Sequence, residues 1–414
     1  MKTKTVISLL VFTALFLWTS CKNEKPRDIV AENFEFAAQQ LEYAVLLTEE
    51  TVNKDTRDSL KKAASPLVSP RTMSNDGSLI MVPARDWTSG FFAGELWYMY
   101  EYTKDPKWEE LAVRFTSPLE SQKLNKGTHD LGFMIFDSFG HGMRLSDKPE
   151  YKEINMDAAR SLASRYKPNA GIIRSWDHNG QKWDCPVIID NMMNLELLFW
   201  ASKESGDTSF YDIAVNHANT TMKNHFREDY GTWHVVDYDT ITGEVRNKTT
   251  HQGFADESSW TRGEAWALYG YTMTYRETKD EDFLTHARNI VNFIFTHPNL
   301  PEDLIPYWDF DAPEIPNEPR DVSAATITAS ALYELSLYGG EKSAQYKEWA
   351  DTILKNLTNH YRATLQSDAG FLLLHSTGGK SLNSEIDVPL VYADYYFLEA
   401  LLRKSKIENN LPLF

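Results

Sequence analysis

Apolar residues recur along this chain in long runs. Each run ends in a short polar turn, and a segment with apolar positions every three or four residues follows. The runs FFAGELWYMYEY, LGFMIFDSFGHGMRL, NMMNLELLFWASK, RGEAWALYGYTMTY and AATITASALYELSL lead into TKDPKW (103–108), SDKPEY (146–151), SGDTSFY (205–211), TKDEDF (278–283) and YGGEKSAQY (338–346). A sixth run, VPLVYADYYFLEALL, closes the series, and a helical pattern over residues 28–64 precedes it. A helix that is apolar nearly all round is buried, whereas a one-sided helix covers a surface. Six of each in alternation predict an all-α protein, an (α/α)6 barrel with inner and outer helices joined as hairpins. A solenoid of the tetratricopeptide kind is the alternative. The repeat spacing argues against it, because it varies by tens of residues and long insertions separate some repeats. One insertion (233–260) alternates like a strand around a Thr-Gly turn and predicts a small β-hairpin.

The N-terminal 21 residues stand outside this pattern. Two lysines precede an apolar stretch that ends in small residues before Cys21, which is a secretory signal and takes no part in the fold. Cysteine directly after Thr19 and Ser20 resembles a bacterial lipoprotein cleavage site. Trp18 stands where such sites carry leucine, so a plain signal peptide is the alternative. The expectation is export to the periplasm, or anchorage to a membrane of a Gram-negative bacterium through a lipid on Cys21. Residues 22–33 read as a linker and 34–405 as a single domain. Cys185 is the one other cysteine, so no internal disulfide supports that domain.

Composition narrows the function. The net charge is −17 and no basic stripe is present, which argues against a nucleic-acid partner. The 12 Trp, 20 Tyr and 21 Phe suit a large core, and they also suit stacking against sugar rings. No HExxH or CxxC spacing suggests a metal site, and there is no Gly-rich phosphate loop or GxSxG elbow.

Polar and aromatic residues gather where the inner helices begin: RDWTSGFF (85–92), THDLGF (128–133), IIDNMMN (188–194), HQGFADESSWTRGEAW (251–266), RDVSAAT (320–326) and SEIDVPLVYADYYF (384–397). In alternating hairpins all inner helices point one way. Their N-termini therefore meet at one end of the barrel and give it a positive field. Asp130 and Asp190 are expected to face each other there across one cavity. Trp87, His129, His234, His251, Gln252, Trp260, Arg262 and Trp266 are expected to line it. Two carboxylates, several indoles and an arginine make a carbohydrate site: carboxylate pairs do the acid and base work of sugar hydrolysis, and arginine binds a carboxylate through two hydrogen bonds. Each residue also has a structural alternative. Asp190 and Asp130 are good helix caps, the tryptophans could be core, Arg262 could pair with Glu264 or Asp256, and His234 could be a packing residue. Asn191 would orient Asp190 or share in capping. Ser376, Lys380 and Ser381, in the Gly-rich stretch HSTGGKSLNSE (375–385), are candidate contacts for a sulfate or for the leaving sugar, or else an ordinary surface loop.

At these positions the chain resembles the unsaturated glucuronyl hydrolases, glycoside hydrolase family 88. The similarity is carried by WTSGFFAGELWYMY, HDLGFM, DNMMNLELLFWA, WHVVDYD, HQGFADESSWTRGEAWALYGY and DVPLVYADYYFLEALL, and it runs from about Phe34 to Arg403. It implies an (α/α)6 barrel without a cofactor, and a hydrolase acting on oligosaccharides left by polysaccharide lyases. The substrates would be glycosaminoglycan fragments ending in a Δ4,5-unsaturated uronic acid, attacked by hydration of the C4=C5 vinyl ether. By motif position, Asp190 would protonate C4 and help water add at C5, and Asp130 would hold the substrate and tune Asp190. His234, Gln252, Trp260, Arg262 and Trp266 would contact the uronate or its neighbour, and Trp87 would stack. The related unsaturated rhamnogalacturonyl hydrolases of pectin carry a similar block. A non-catalytic glycan-binding lipoprotein would need the aromatics but not two facing carboxylates. A helical scaffold would give no reason for polar residues to cluster at the inner helix starts.

Overall fold

The computed structural model describes residues 28–57, 65–74 and 76–414. The expected signal, Cys21 and residues 22–27 of the linker lie outside the described residues. Twelve α-helices form the described body: α1 Ile29–Arg57, α2 Phe91–Thr103, α3 Pro106–Thr116, α4 His141–Leu145, α5 Glu150–Ala163, α6 Leu195–Ser205, α7 Thr208–Asn224, α8 Thr261–Thr278, α9 Glu281–Thr296, α10 Val322–Leu335, α11 Ser343–Asn356 and α12 Val391–Glu408. A π-helical stretch, Gly132–Gly140, runs straight into α4.

The even-numbered helices form a closed inner ring, in which α12 packs on α2 and neighbours pack in order, α6 through the π-helical stretch Gly132–Gly140 that leads into α4. The odd-numbered helices surround it, with α1 covering α12. This is the predicted (α/α)6 toroid. Burial follows the sequence pattern: every residue of α10 is buried, whereas α3 buries only Trp108, Ala112 and Thr116. The polar turns do the same work at three corners. Lys104, Gly206 and Lys279 end their inner helices in the left-handed region, at φ 58°, 75° and 57°. The next residue, Asp105, Asp207 or Asp280, then caps the outer helix by accepting the backbone N–H of Lys107, Ser209 or Asp282.

Four details differ from the sequence reading. Helix α1 starts at Ile29, inside the expected linker, because Val30 and Phe34 pack into the main core. Leu67–Met73 (β1) and Leu79–Pro83 (β2) form an unexpected antiparallel hairpin. Two further strands, Tyr166–Lys167 (β3) and Ile172–Ile173 (β4), pair locally. The expected hairpin of the 233–260 insertion is Val235–Tyr238 (β6) with Val245–Thr249 (β7), but Pro186–Ile188 (β5) adds to its edge as a third strand. That addition matters, because β5 delivers the chain to Asp190.

Both ends of the ring are hollow. The end where the inner helices finish holds a cavity of about 270 Å³. Arginines and glutamates of its lining pair with one another, Arg276 with Glu277 at 3.0 Å and Arg403 with Glu399 at 3.2 Å. Trp266, Phe133 and Tyr396 pack together as an aromatic septum, with ring centroids 5.3–5.4 Å apart for the Trp266 pairs. The other end is the one the sequence pointed to.

Candidate active site

A cavity of about 330 Å³ lies at the end where the inner helices begin. Trp87, His129, Asp130, Asp190 and Gln252, gathered from four helix starts, line it. Converging helix N-termini are thus observed, and their dipoles favour an anionic ligand there.

Asp190 sits on a 3-10 turn, Ile189–Asn194, between β5 and α6. It caps no helix: Asn194 occupies the cap position of α6, and neither residue makes a side-chain cap bond there. The strand register places it. Ile188 pairs with Val235, and the N–H of Ile189 donates to the carbonyl of His234 at 3.2 Å. His234 Nε2 then lies 3.7 Å from Asp190 Oδ2. His234 Nδ1 accepts the backbone N–H groups of His251 and Gln252, each at 3.1 Å. An Nδ1 that accepts twice carries no proton, so the neutral ring holds its hydrogen on Nε2, toward the carboxyl. Burial keeps that ring neutral by pushing its pKa well below the usual imidazole value. Asp190 is 8% exposed, and burial raises its pKa to about 6 against the pull of His129 and Arg262.

Asp130 lies in the opposite electrostatic state. Burial alone would push its carboxyl up, but His129 and Thr128 outweigh burial and hold it below the usual carboxylate value. His129 Nε2 is 3.1 Å from Oδ1, and Thr128 donates its hydroxyl to Oδ2. Two carboxyl groups in one cavity, one raised to about 6 and the other held ionised, are equipped as an acid and an anionic partner. Asn194 holds the two helix starts together. Its Oδ1 accepts the N–H of Gly132 at 2.8 Å and of Phe133 at 3.2 Å, just after Asp130. A Cβ at position 132 would lie 2.6 Å from that oxygen, so glycine is required there.

Several nominated residues stand behind the cavity wall instead of on it. Asn191 is fully buried and donates to the carbonyl of Ile173 at 2.8 Å, so it neither orients Asp190 nor caps. Arg262 is 1% exposed. It pairs with neither Glu264 nor Asp256 but with Asp321 at 2.5 Å, and it donates to the carbonyls of Thr377 and Gly378. Trp260 packs against His234 with ring centroids 4.5 Å apart and planes tilted by 38°, and Arg262 lies over its ring at 4.6 Å. Trp266 is fully buried in the septum described above. Ser376 is buried, Lys380 is bound to Glu318, and Ser381 donates to the carbonyls of His251 and Gln252. None of these last three lines the cavity.

The structure adds wall residues that helix-start reasoning does not reach. Trp176 and His178 stack at 5.4 Å, and Trp176 also packs on His251 at 5.8 Å. The indole N–H of Trp176 is buried without a partner, a donor available to a ligand. Arg71 of β1, Ser175, Tyr392 and Glu385 also line the cavity. Flat rings, carboxyl groups and single donors around one small cavity suit a planar, oxygen-rich ring carrying one negative charge.

Comparison with known proteins agrees with this chemistry. The sequence profile of Glycosyl Hydrolase Family 88 matches residues 60–401. The chain is 49% identical over 341 residues to an unsaturated glucuronyl hydrolase of Formosa agariphila, covering 82% of this chain and 85% of that one. It is 33% identical to an unsaturated chondroitin disaccharide hydrolase of Streptococcus pneumoniae, with 78% and 83% covered. The crystal structure of an unsaturated glucuronyl hydrolase specific for heparin superposes with a TM-score of 0.84 at 44% identity, over 92% of this chain and 98% of that one.

Proposed function

The chain belongs to glycosyl hydrolase family 88, and we propose that it removes the Δ4,5-unsaturated uronic acid from the non-reducing end of glycosaminoglycan oligosaccharides. The observation that carries the reading is the split carboxyl pair: Asp190, with its pKa raised to about 6, shares a cavity with the ionised Asp130. A vinyl ether is hydrated by an acid that can deliver a proton to carbon near neutral pH, and a carboxyl of ordinary pKa is nearly all ionised there.

Asp190 donates its proton to C4, and the ring oxygen supports the positive charge that develops at C5. Asp130 stays ionised beside that charge. Water then adds to C5 and returns a proton to Asp190. The C5 hemiketal opens, which leaves C1 as a hemiacetal that expels the sugar chain. His234 lies beside Oδ2 of Asp190 with its N–H toward the carboxyl, and Trp87 and Trp176 supply flat walls for a flattened ring. The lipoprotein signal read at Cys21 supports a periplasmic or membrane-anchored site of action.

The test is Asp190→Asn, assayed on an unsaturated disaccharide by loss of vinyl-ether absorbance. The variant should fold and bind but turn over at least about 10³-fold more slowly. Near-normal turnover sinks the assignment of Asp190. Faster turnover of unsaturated pectin fragments than of glycosaminoglycan fragments by the wild type sinks the assignment of substrate.

A further inference from the structure

A substrate at this site must bring C4 and C5 of its terminal ring to the buried Asp190, so the rest of the sugar chain leaves through the open rim. The segment 376–388 builds part of that rim. Gly378 is buried in the wall, while Ser381, Leu382, Asn383 and Ser384 are exposed. Glu385 returns from that exposed tip to the cavity, opposite Arg71.

Among the described residues that line the cavity, Arg71 is the one guanidinium or ammonium. Arg262 is enclosed and saturated behind the wall, and Lys380 is held by Glu318. Arg71 is itself heavily engaged. Nη1 donates to both oxygens of Asp86 at 3.0 Å, and Nε and Nη2 donate to the two oxygens of Glu385 at 2.6 and 2.9 Å. A guanidinium has five N–H groups, so one remains for a ligand.

The two carboxylates are not equivalent. Asp86 also accepts the N–H and hydroxyl of Thr88, at 3.0 and 2.7 Å, and so helps to build the turn before α2. Glu385 makes its side-chain hydrogen bonds to Arg71, and the loop is bent to place it. Asn383, Glu385 and Asp387 all lie in the left-handed region, at φ 51°, 52° and 55°, a conformation that non-glycine residues adopt only when the surroundings impose it. Gly378 N–H donates to the Glu385 carbonyl at 2.7 Å, and a Cβ on Gly378 would lie 2.5 Å from Glu385 Oε2. Gly378 in turn receives Gln252 at 3.0 Å, so the loop is tied to the substrate cavity.

We propose that Glu385 is the specificity-determining residue that sets this enzyme against a sulfated leaving sugar, by occupying Arg71 as an internal counter-ion at the rim. The inference rests on the hydrolase reading above. A sulfate at the rim would have to displace a carboxylate held by two charge-assisted bonds, and it would meet that carboxylate's repulsion. A hydroxyl or acetamido group takes the remaining Arg71 N–H, or donates to Glu385, without that conflict.

The experiment compares kcat/KM for two unsaturated disaccharides that differ only in a sulfate on the second sugar, with wild type, Glu385→Gln, and Glu385→Gln combined with Arg71→Met. Wild type should favour the unsulfated compound by about tenfold or more, since hydrogen bonds to charged groups contribute about 1.5–3 kcal/mol and 1.4 kcal/mol is tenfold. Glu385→Gln should reduce that preference about tenfold, mostly through KM for the sulfated compound, and the added Arg71→Met should abolish the gain. As a competitor of wild-type turnover, the sulfated disaccharide should show a Ki well above the KM of the unsulfated one. Equal use of both compounds by the wild type, a ratio unmoved by Glu385→Gln, or tight competition by the sulfated compound each overturns the proposal. Failure of the wild type on both compounds overturns the hydrolase reading, and the proposal with it.

Discussion

Asn194 caps a helix that is not its own: its Oδ1 lies 2.8 Å from the backbone nitrogen of Gly132. Asn194 ends the turn that carries Asp190, and Gly132 opens the stretch that follows Asp130. One side chain therefore fixes the spacing of two carboxyl groups on different helices. Asn194→Ala removes an acceptor from two buried N–H groups and should destabilise the fold by about 1–3 kcal/mol. The same variant should lower kcat more than it raises KM, because misplacing the acid by a fraction of an ångström weakens proton delivery more than binding. Urea unfolding and steady-state kinetics read the two effects separately. A loss of stability with kcat intact would confine Asn194 to a structural role.

The split carboxyl pair sets the pH profile. Asp190 works as its protonated form and Asp130 as its anion. With Asp190 near 6 and Asp130 below the usual carboxylate value, kcat/KM should be flat in mildly acid solution. It should fall about tenfold per pH unit well above pH 6, as the acid form is lost. The acid limb should lie below the range of an ordinary aspartate. His129→Ala removes the strongest support of the Asp130 anion and should move the acid limb upward. An alkaline limb that stays in place whatever is done to the cavity would argue against Asp190 as its source.

The raised pKa of Asp190 is also a statement about stability. The folded protein binds this proton more tightly than the unfolded chain does. The associated stability is therefore complete below about pH 4, is lost as pH rises through about 6, and is absent above. The displacement from 3.8 to about 6 corresponds to a cost of about 3 kcal/mol in the ionised state at pH 8. Asp190→Asn keeps the shape without the charge, so it should be more stable than wild type at pH 8 and no more stable at pH 4. Urea unfolding at the two pH values checks this. An equal effect at both would mean that burial of the charge is not its cause.

Much of this was legible in the sequence where the signals are local. Helix periodicity and the Asp-capped turns are short-range, and they give the ring. Asp130, Asp190, Trp87 and Gln252 were found because they share one register, the start of an inner helix. Residues further into a helix turn away from that end: Trp266, five positions after the first residue of α8, faces the septum instead. Arg71, Trp176 and Glu385 lie on strands and loops placed by long-range bridges, Thr72 with Leu390 and Thr128 with Trp176. No periodicity records such pairings. The Asp76-Gly77 turn was a local sign of the β1–β2 hairpin, but nothing in it says where β1 would dock.

Arg262 separates the two kinds of reasoning most sharply. The motif places it on the substrate, whereas the structure encloses it with Asp321 and two carbonyls of the 376–388 segment. Breaking a buried ion pair from one side leaves an uncompensated charge and costs about 3–5 kcal/mol. Arg262→Met should therefore lower the urea midpoint strongly, with Asp321 left unpaired. Replacing Asp321 as well, in Arg262→Met with Asp321→Asn, should recover part of the loss, because the orphaned charge is gone and the cap of α10 is kept by the asparagine. Substrate affinity should fall in both variants as the Thr377–Gly378 wall loosens. A variant with wild-type stability and a raised KM would instead put Arg262 in direct contact with the uronate.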